Sequence, residues 1–194
     1  MSTARAIRAL NDGLVAPGAA RRELALTYAT AGAGILLALV LADRAGAGLL
    51  TTVVSAVVAF DLFGGAVANA VPSARRRWHG PGSSPARHLA FVGAHVQPFL
   101  LALTCRDYGI GSAAVLYGVT VVAAAVVLAA PRHLRRAVAL SAASLGTGLV
   151  TVLAAPPAEL AWLAPVLLVK LLLAHLLPGA DDSGPHAEEV GSDR

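Results

Sequence analysis

Hydrophobic positions in this chain come in long uninterrupted runs. Six windows, at about 24–41, 49–71, 88–104, 110–130, 134–155 and 160–177, are almost free of charge. A run of about 20 apolar residues is what a helix needs to cross a hydrocarbon layer roughly 30 Å thick. Neither strand-like alternation nor a helical stripe with a polar back accompanies these runs, so the pattern predicts an all-α integral membrane bundle of six transmembrane helices. Prolines mark the ends: Pro72 follows the second window, Pro131 the fourth, Pro156 and Pro157 the fifth, and Pro178 the sixth. Pro98 falls inside the third and predicts a kink there. Small residues, AGAG at 31–34 and SAASLGTG at 141–148, predict close approach of helix backbones, inside the bundle or in a homodimer.

Around this transmembrane domain, 24–178, lie two polar ends. Residues 1–23 read as a basic arm with a short interfacial helix at about 4–10 and a Pro17-Gly18 break. Residues 179–194 read as an acidic disordered tail. Four arginines, two acids and the Pro-Gly pair do not fit a cleaved leader, so the first span is expected to stay as an anchor.

Composition agrees: 57% hydrophobic residues, 13% charged and a mean hydropathy of +0.70, where a soluble domain carries about 25% charged residues. The net charge of +4 does not predict a nucleic-acid partner, because the arginines sit in short loops and in the arm. Arg5, Arg8, Arg21, Arg22, Arg75, Arg76, Arg77, Arg87, Arg132, Arg135 and Arg136 flank one side of the predicted spans; Arg44 and Arg106 flank the other. Eleven against two predicts a cell-membrane protein with both termini cytoplasmic. The single Cys105 excludes an internal disulfide and a CxxC motif.

Polar chemistry concentrates between residues 60 and 99, FDLFGGAVANAVPSARRRWHGPGSSPARHLAFVGAHVQPF. Ionisable groups inside a membrane span are costly and mark function. At a rise of 1.5 Å per residue, Asp61 lies about 15 Å from the inner end of its span and Asn69 about 3 Å. By the same measure His88 lies at the boundary, with His95 and Lys170 each about 10 Å from the inner side. Asp61, His95 and Lys170 thus share a depth. Asp61, Gly65 and Ala68 share a face, as do His88 and His95 with Phe91 between them. One polar pocket walled by the second, third and sixth spans would accommodate the set, with Gly64 and Gly65 allowing close packing or room for a ligand beside Asp61. Lys170 has two readings, an ion pair with Asp61 or snorkelling to the interface. Trp78, His79 and His175 read as interfacial belt residues, and Tyr28 and Tyr117 as packing residues.

Asp and His together offer proton transfer or metal binding. As an acid–base site, Asp61 would be the general acid, His95 the base or its partner, and Asn69 and His88 orienting groups, acting on a lipophilic substrate from the bilayer by cyclisation, isomerisation or epoxide opening. No cofactor is required by the sequence; were a metal held, Asp61, His88 and His95 would supply one carboxylate and two imidazoles to Zn or Fe. Two further classes fit the same residues: a small proton-coupled transporter in which Asp61 and Lys170 exchange partners, and a non-catalytic membrane subunit with an Arg-rich docking loop. No GxSxG, SxxK, HExxH, Walker or GxGxxG motif occurs.

The runs FDLFGGAVANAVPSARRRWHG and ARHLAFVGAHVQPF resemble small bacterial multi-pass membrane proteins that share an FDxxGGxxxN element followed by histidines. The resemblance covers about 40 of 194 residues. It implies that Asp61, Gly64, Gly65, Asn69, His88 and His95 belong together, and it carries no activity with it.

Overall fold

The computed structural model describes residues 3–178, so the expected acidic tail lies outside the described residues. Every regular element among them is helical: α1 (Thr3–Leu14), α2 (Arg21–Arg44), α3 (Leu49–Ala70), α4 (Pro72–His79), α5 (Pro85–Gly93), α6 (Gln97–Ala102), α7 (Ile110–Ala129), α8 (Arg135–Leu153) and α9 (Leu163–Leu168). A 3₁₀ turn, Ala158–Leu160, precedes α9, and a π-helical segment, Val169–His175, continues it. Helices α2, α3, α7, α8 and the last helix from Ala158 to His175 are long and apolar enough to cross a membrane. Their outward faces, with Leu36, Leu50, Val57, Val122, Leu145 and Val152 exposed, present hydrocarbon to hydrocarbon. The chain is therefore a multi-pass membrane protein.

The third window departs from the expected kinked span. It is two helices, α5 and α6, separated at residues 94–96. Pro98 has no N–H to give the carbonyl four residues back, and its ring crowds that carbonyl, so α5 stops at Gly93 and the chain restarts at Gln97. Irregular backbone at membrane depth persists only where protein satisfies it. Here the His95 ring donates Nδ1–H to the Phe91 carbonyl at 2.7 Å, and the Tyr117 hydroxyl donates to the Gly93 carbonyl at 2.8 Å. Tyr117, read from sequence as a packing residue, is thus a cap for the broken helix.

Packing follows the small residues. On α2, Ala31, Gly34, Ala38 and Ala42 are buried along one stripe that meets α3. A Cβ at Gly34 would lie 2.6 Å from the Phe63 ring, and one at Gly64 would lie 2.9 Å from the Ala31 methyl. Gly146 gives α8 the same closeness to α7 and α9, with Val119 and Leu168 3.2 Å from a Cβ there. The last helix runs through the middle: 56% of its residues are buried, against 22–33% in the other long helices. It therefore brings side chains to the interior from α3, α7 and α8 alike.

The arm is more ordered than a loose tail. Its helix runs from Thr3 to Leu14, beyond the expected 4–10, and exposes Ile7, Leu10 and Leu14 on one side. Val15 and Ala16 then bury against Ala68, Val71 and Ala74, and Tyr28 donates to the Asn11 side-chain oxygen at 2.7 Å. These contacts fix the arm to the start of α2, the end of α3 and the start of α4.

Candidate functional site

Asp61 sits midway along α3, whose neighbouring residues are almost all apolar. Its Oδ2 takes a salt bridge from Lys170 Nζ at 2.8 Å, and Nζ also donates to the Asp61 carbonyl at 3.1 Å. The two residues are 109 positions apart, so only the closed bundle makes this pair. Gly65, one turn below Asp61, leaves the space the lysine fills: a Cβ there would lie 2.5 Å from Lys170 Cε and 2.7 Å from Nζ. The paired glycines therefore have separate tasks, Gly64 towards α2 and Gly65 towards the lysine.

The break between α5 and α6 supplies a third member that the sequence reading missed. Gln97, the first residue of α6, donates Nε2–H to Asp61 Oδ2 at 2.8 Å. Asp61 Oδ2 thus accepts from an ammonium and an amide at once, and the contact with the cation is charge-assisted. Of the two readings of Lys170, the structure shows the ion pair with Asp61. Lys170 is 3% exposed, whereas the Asp61 side chain is 45% exposed. The pair thus has a closed cationic side and an anionic side open at the edge of the bundle.

His95 lies in the break, 7% exposed, with Nδ1–H committed to the Phe91 carbonyl. In the neutral ring this leaves Nε2 as the bare, proton-accepting nitrogen. The broken helix therefore sets both the position and the tautomer of His95.

A second cluster lies beside the first. His88 Nδ1 and His175 Nε2 share a hydrogen bond of 3.1 Å, and Ser83 Oγ lies 3.0 Å from His88 Nε2. His79 donates Nε2–H to the His175 carbonyl at 3.0 Å. Trp78 meets His175 and Phe91 edge-on, each with ring centroids 4.6 Å apart, and the Arg87 guanidinium lies 4.8 Å over the Trp78 ring. His175, expected at the interface, is an interior residue, 1% exposed, and Trp78 is half-buried beside it. Phe91 stacks on His175 at 4.0 Å and touches the His95 ring at 4.7 Å, so one phenyl ring divides the two clusters.

The residues predicted as one pocket thus divide. Asp61, Lys170 and Gly65 meet, with His95 in the adjoining break; His88 belongs to the histidine cluster. Asn69 is buried two turns below Asp61, its amide nitrogen without a hydrogen-bond partner. Asp61, His88 and His95 do not converge, and among the described residues no three His, Cys, Asp or Glu side chains are grouped to hold a metal ion. A cleft of about 530 Å³ opens elsewhere, between α1 and the start of α2, lined by Arg8, Asn11, Asp12 and Leu24 among others. No family model matches the chain, and no curated protein or solved structure matches it either.

Proposed function

We propose that this protein is a small integral-membrane enzyme that handles a lipophilic substrate by acid–base chemistry at the Asp61–Lys170 pair. One observation carries the reading: a carboxylate within a long apolar helix accepts from a buried ammonium and an amide while its own side chain stays 45% exposed. A substrate dissolved in the bilayer would reach Oδ1 of Asp61 without crossing water. Asp61 then acts as the base, Lys170 as the proton donor, Gln97 as the group that orients the carboxylate, and His95 Nε2 as the second acceptor. Proton abstraction at one carbon and return at another gives isomerisation; delivery to an alkene or epoxide oxygen starts cyclisation or ring opening. In the FDxxGGxxxN element, the acid, the second glycine and the lysine of the last helix form the site, while the first glycine seats α2.

The finer topology belongs to the same proposal. With α5 and α6 counted as one broken crossing, the chain spans the cell membrane six times with both termini in the cytoplasm, a topology that the arginine distribution supports. The broken helix also favours a second reading, a proton-coupled carrier, because discontinuous helices line the substrate sites of many transporters.

Comparative lipid profiling tests the enzyme. Purified protein in nanodiscs is incubated with a total lipid extract from the source membrane, beside Asp61→Asn and Lys170→Met. The reading expects one lipid class to change retention, or to gain the mass of one water, with the parent protein only. Turnover that survives Asp61→Asn would sink it. Uptake into proteoliposomes driven by a proton gradient, with no lipid converted, would establish the carrier instead.

A further inference from the structure

The π-helical segment carries the next step. In an α-helix, positions five apart lie about 140° around the axis from one another. The Leu176 N–H to Leu171 carbonyl bond of 3.2 Å marks the wider i→i+5 winding, which at roughly 4.4 residues per turn narrows that angle to about 50°. Lys170 and His175 are five apart, and both are buried. The widened turn therefore brings the buried cation and the buried histidine closer around the axis of the last helix. His175 Nδ1 is a buried nitrogen with no hydrogen-bond partner, although its Nε2 is bonded to His88. His88 in turn meets Ser83, which is exposed on the loop before α5.

We propose that Ser83, His88 and His175 form a proton relay between the 80–84 loop and the Asp61–Lys170 pair, with Phe91 as the barrier at its inner end. The relay rests on the reading of that pair as an acid–base site. Two tautomer arrangements satisfy the observed bonds. In one, the Ser83 hydroxyl donates to His88 Nε2, His88 Nδ1–H donates to His175 Nε2, and His175 carries its other proton on Nδ1. In the second, His175 Nε2–H donates to His88 Nδ1, His88 Nε2–H donates to Ser83 Oγ, and His175 Nδ1 is bare. Passing from the first to the second adds one proton at His88 Nε2, moves one across the 3.1 Å bond and releases one from His175 Nδ1. Both rings are neutral before and after, so one proton crosses the wall of the bundle without a buried imidazolium as an end state. The His79 N–H on the His175 carbonyl and the Trp78 edge fix the inner ring in place. Phe91, stacked on His175 and touching His95, keeps the relay out of continuous contact with the pair until its ring moves.

Lys170 is the single lysine of the chain, which makes the test specific. Protein labelled with ¹⁵N-lysine and held in nanodiscs gives one side-chain ammonium resonance, and its hydrogen exchange with D₂O reads proton traffic to the pair directly. His88→Gln and His175→Gln should slow that exchange by roughly a hundredfold, the low end of what a positioned proton carrier supplies. Ser83→Ala, an exposed substitution that leaves the interior intact, should slow it less, and Phe91→Leu should speed it. An unchanged resonance position certifies that the pair is still formed in each variant. Exchange at the parent rate in both His88→Gln and Ser83→Ala overturns the relay, whatever His175→Gln does to folding. The measurement needs no substrate, so failure of the relay is separate from failure of the Asp61 turnover test.

Discussion

Asp61→Asn and Lys170→Met should each be costly and together nearly harmless. Lys170 is 3% exposed within protein, so removing the carboxylate strands an ammonium in the interior, at about 3–5 kcal/mol for a broken buried pair. The lower part of that range applies, because the main-chain carbonyl of residue 61 at 3.1 Å and the oxygen of the introduced amide still accept from Nζ. Removing the lysine strands a carboxylate that is 45% exposed at the edge of the bundle. Facing lipid, an unpaired acid near the middle of a span costs about 2.5–3.5 kcal/mol on an insertion scale. If the two sites were independent, the double variant would lose about 6 kcal/mol or more, the two costs added. Replacing both charges with uncharged groups of similar volume should instead leave the double variant within about 1.5 kcal/mol of the parent. Reversible unfolding of all four proteins in mixed detergent–SDS micelles gives the cycle directly. Additive losses in the double variant would refute the coupled pair, and with it the argument that Gly65 exists to make room for the lysine.

Three other outcomes follow from single contacts. Gly65→Ala should displace Lys170 and reproduce the Lys170→Met loss of lipid turnover, whereas Gly64→Ala should cost about 1–3 kcal/mol by overpacking against Ala31 while the Lys170 ammonium resonance keeps its position; equal loss of turnover in both would contradict the division of labour between the glycines. Tyr117→Phe strands the Gly93 carbonyl at the broken helix and should cost about 1–3 kcal/mol in the same unfolding assay; an unchanged unfolding midpoint would show that the hydroxyl does not cap the break. Cys105 is buried in the turn before α7 and burial raises its thiol pKa, so the thiolate fraction at pH 8 falls below that of an exposed cysteine. Maleimide labelling at that pH should therefore be much slower in the folded protein than in SDS and should accelerate as pH rises; equal rates in both states would show the turn to be open.

The long apolar runs and the prolines at their ends make the five long helices legible to within a few residues, and residue counting along two spans is enough to put Asp61 and Lys170 at one depth. The site's other half is hidden for physical reasons. In the sequence Gln97 is an isolated amide on a continuous span; only the loss of helix before Pro98 turns it towards Asp61. His175 reads as a belt residue because it lies at the end of the last span. The π winding narrows its angle from Lys170, and no residue in VKLLLAH announces that winding. His88 shares a helical face with His95 by spacing alone, yet the break in the helix between them sends the two rings to different neighbours.

The broken helix also governs how this chain enters a membrane in the first place. At 1.5 Å per residue, α5 and α6 reach about 14 and 9 Å, so neither can cross a layer roughly 30 Å thick as an independently recognised segment. Both instead pack on longer helices, α6 on α3 before it and both on α7 after them. Asp61 is meanwhile synthesised 109 residues ahead of the lysine that neutralises it. During synthesis the nascent chain therefore carries an unpaired acid until its last helix arrives, and that helix closes the bundle on the charge left waiting in α3.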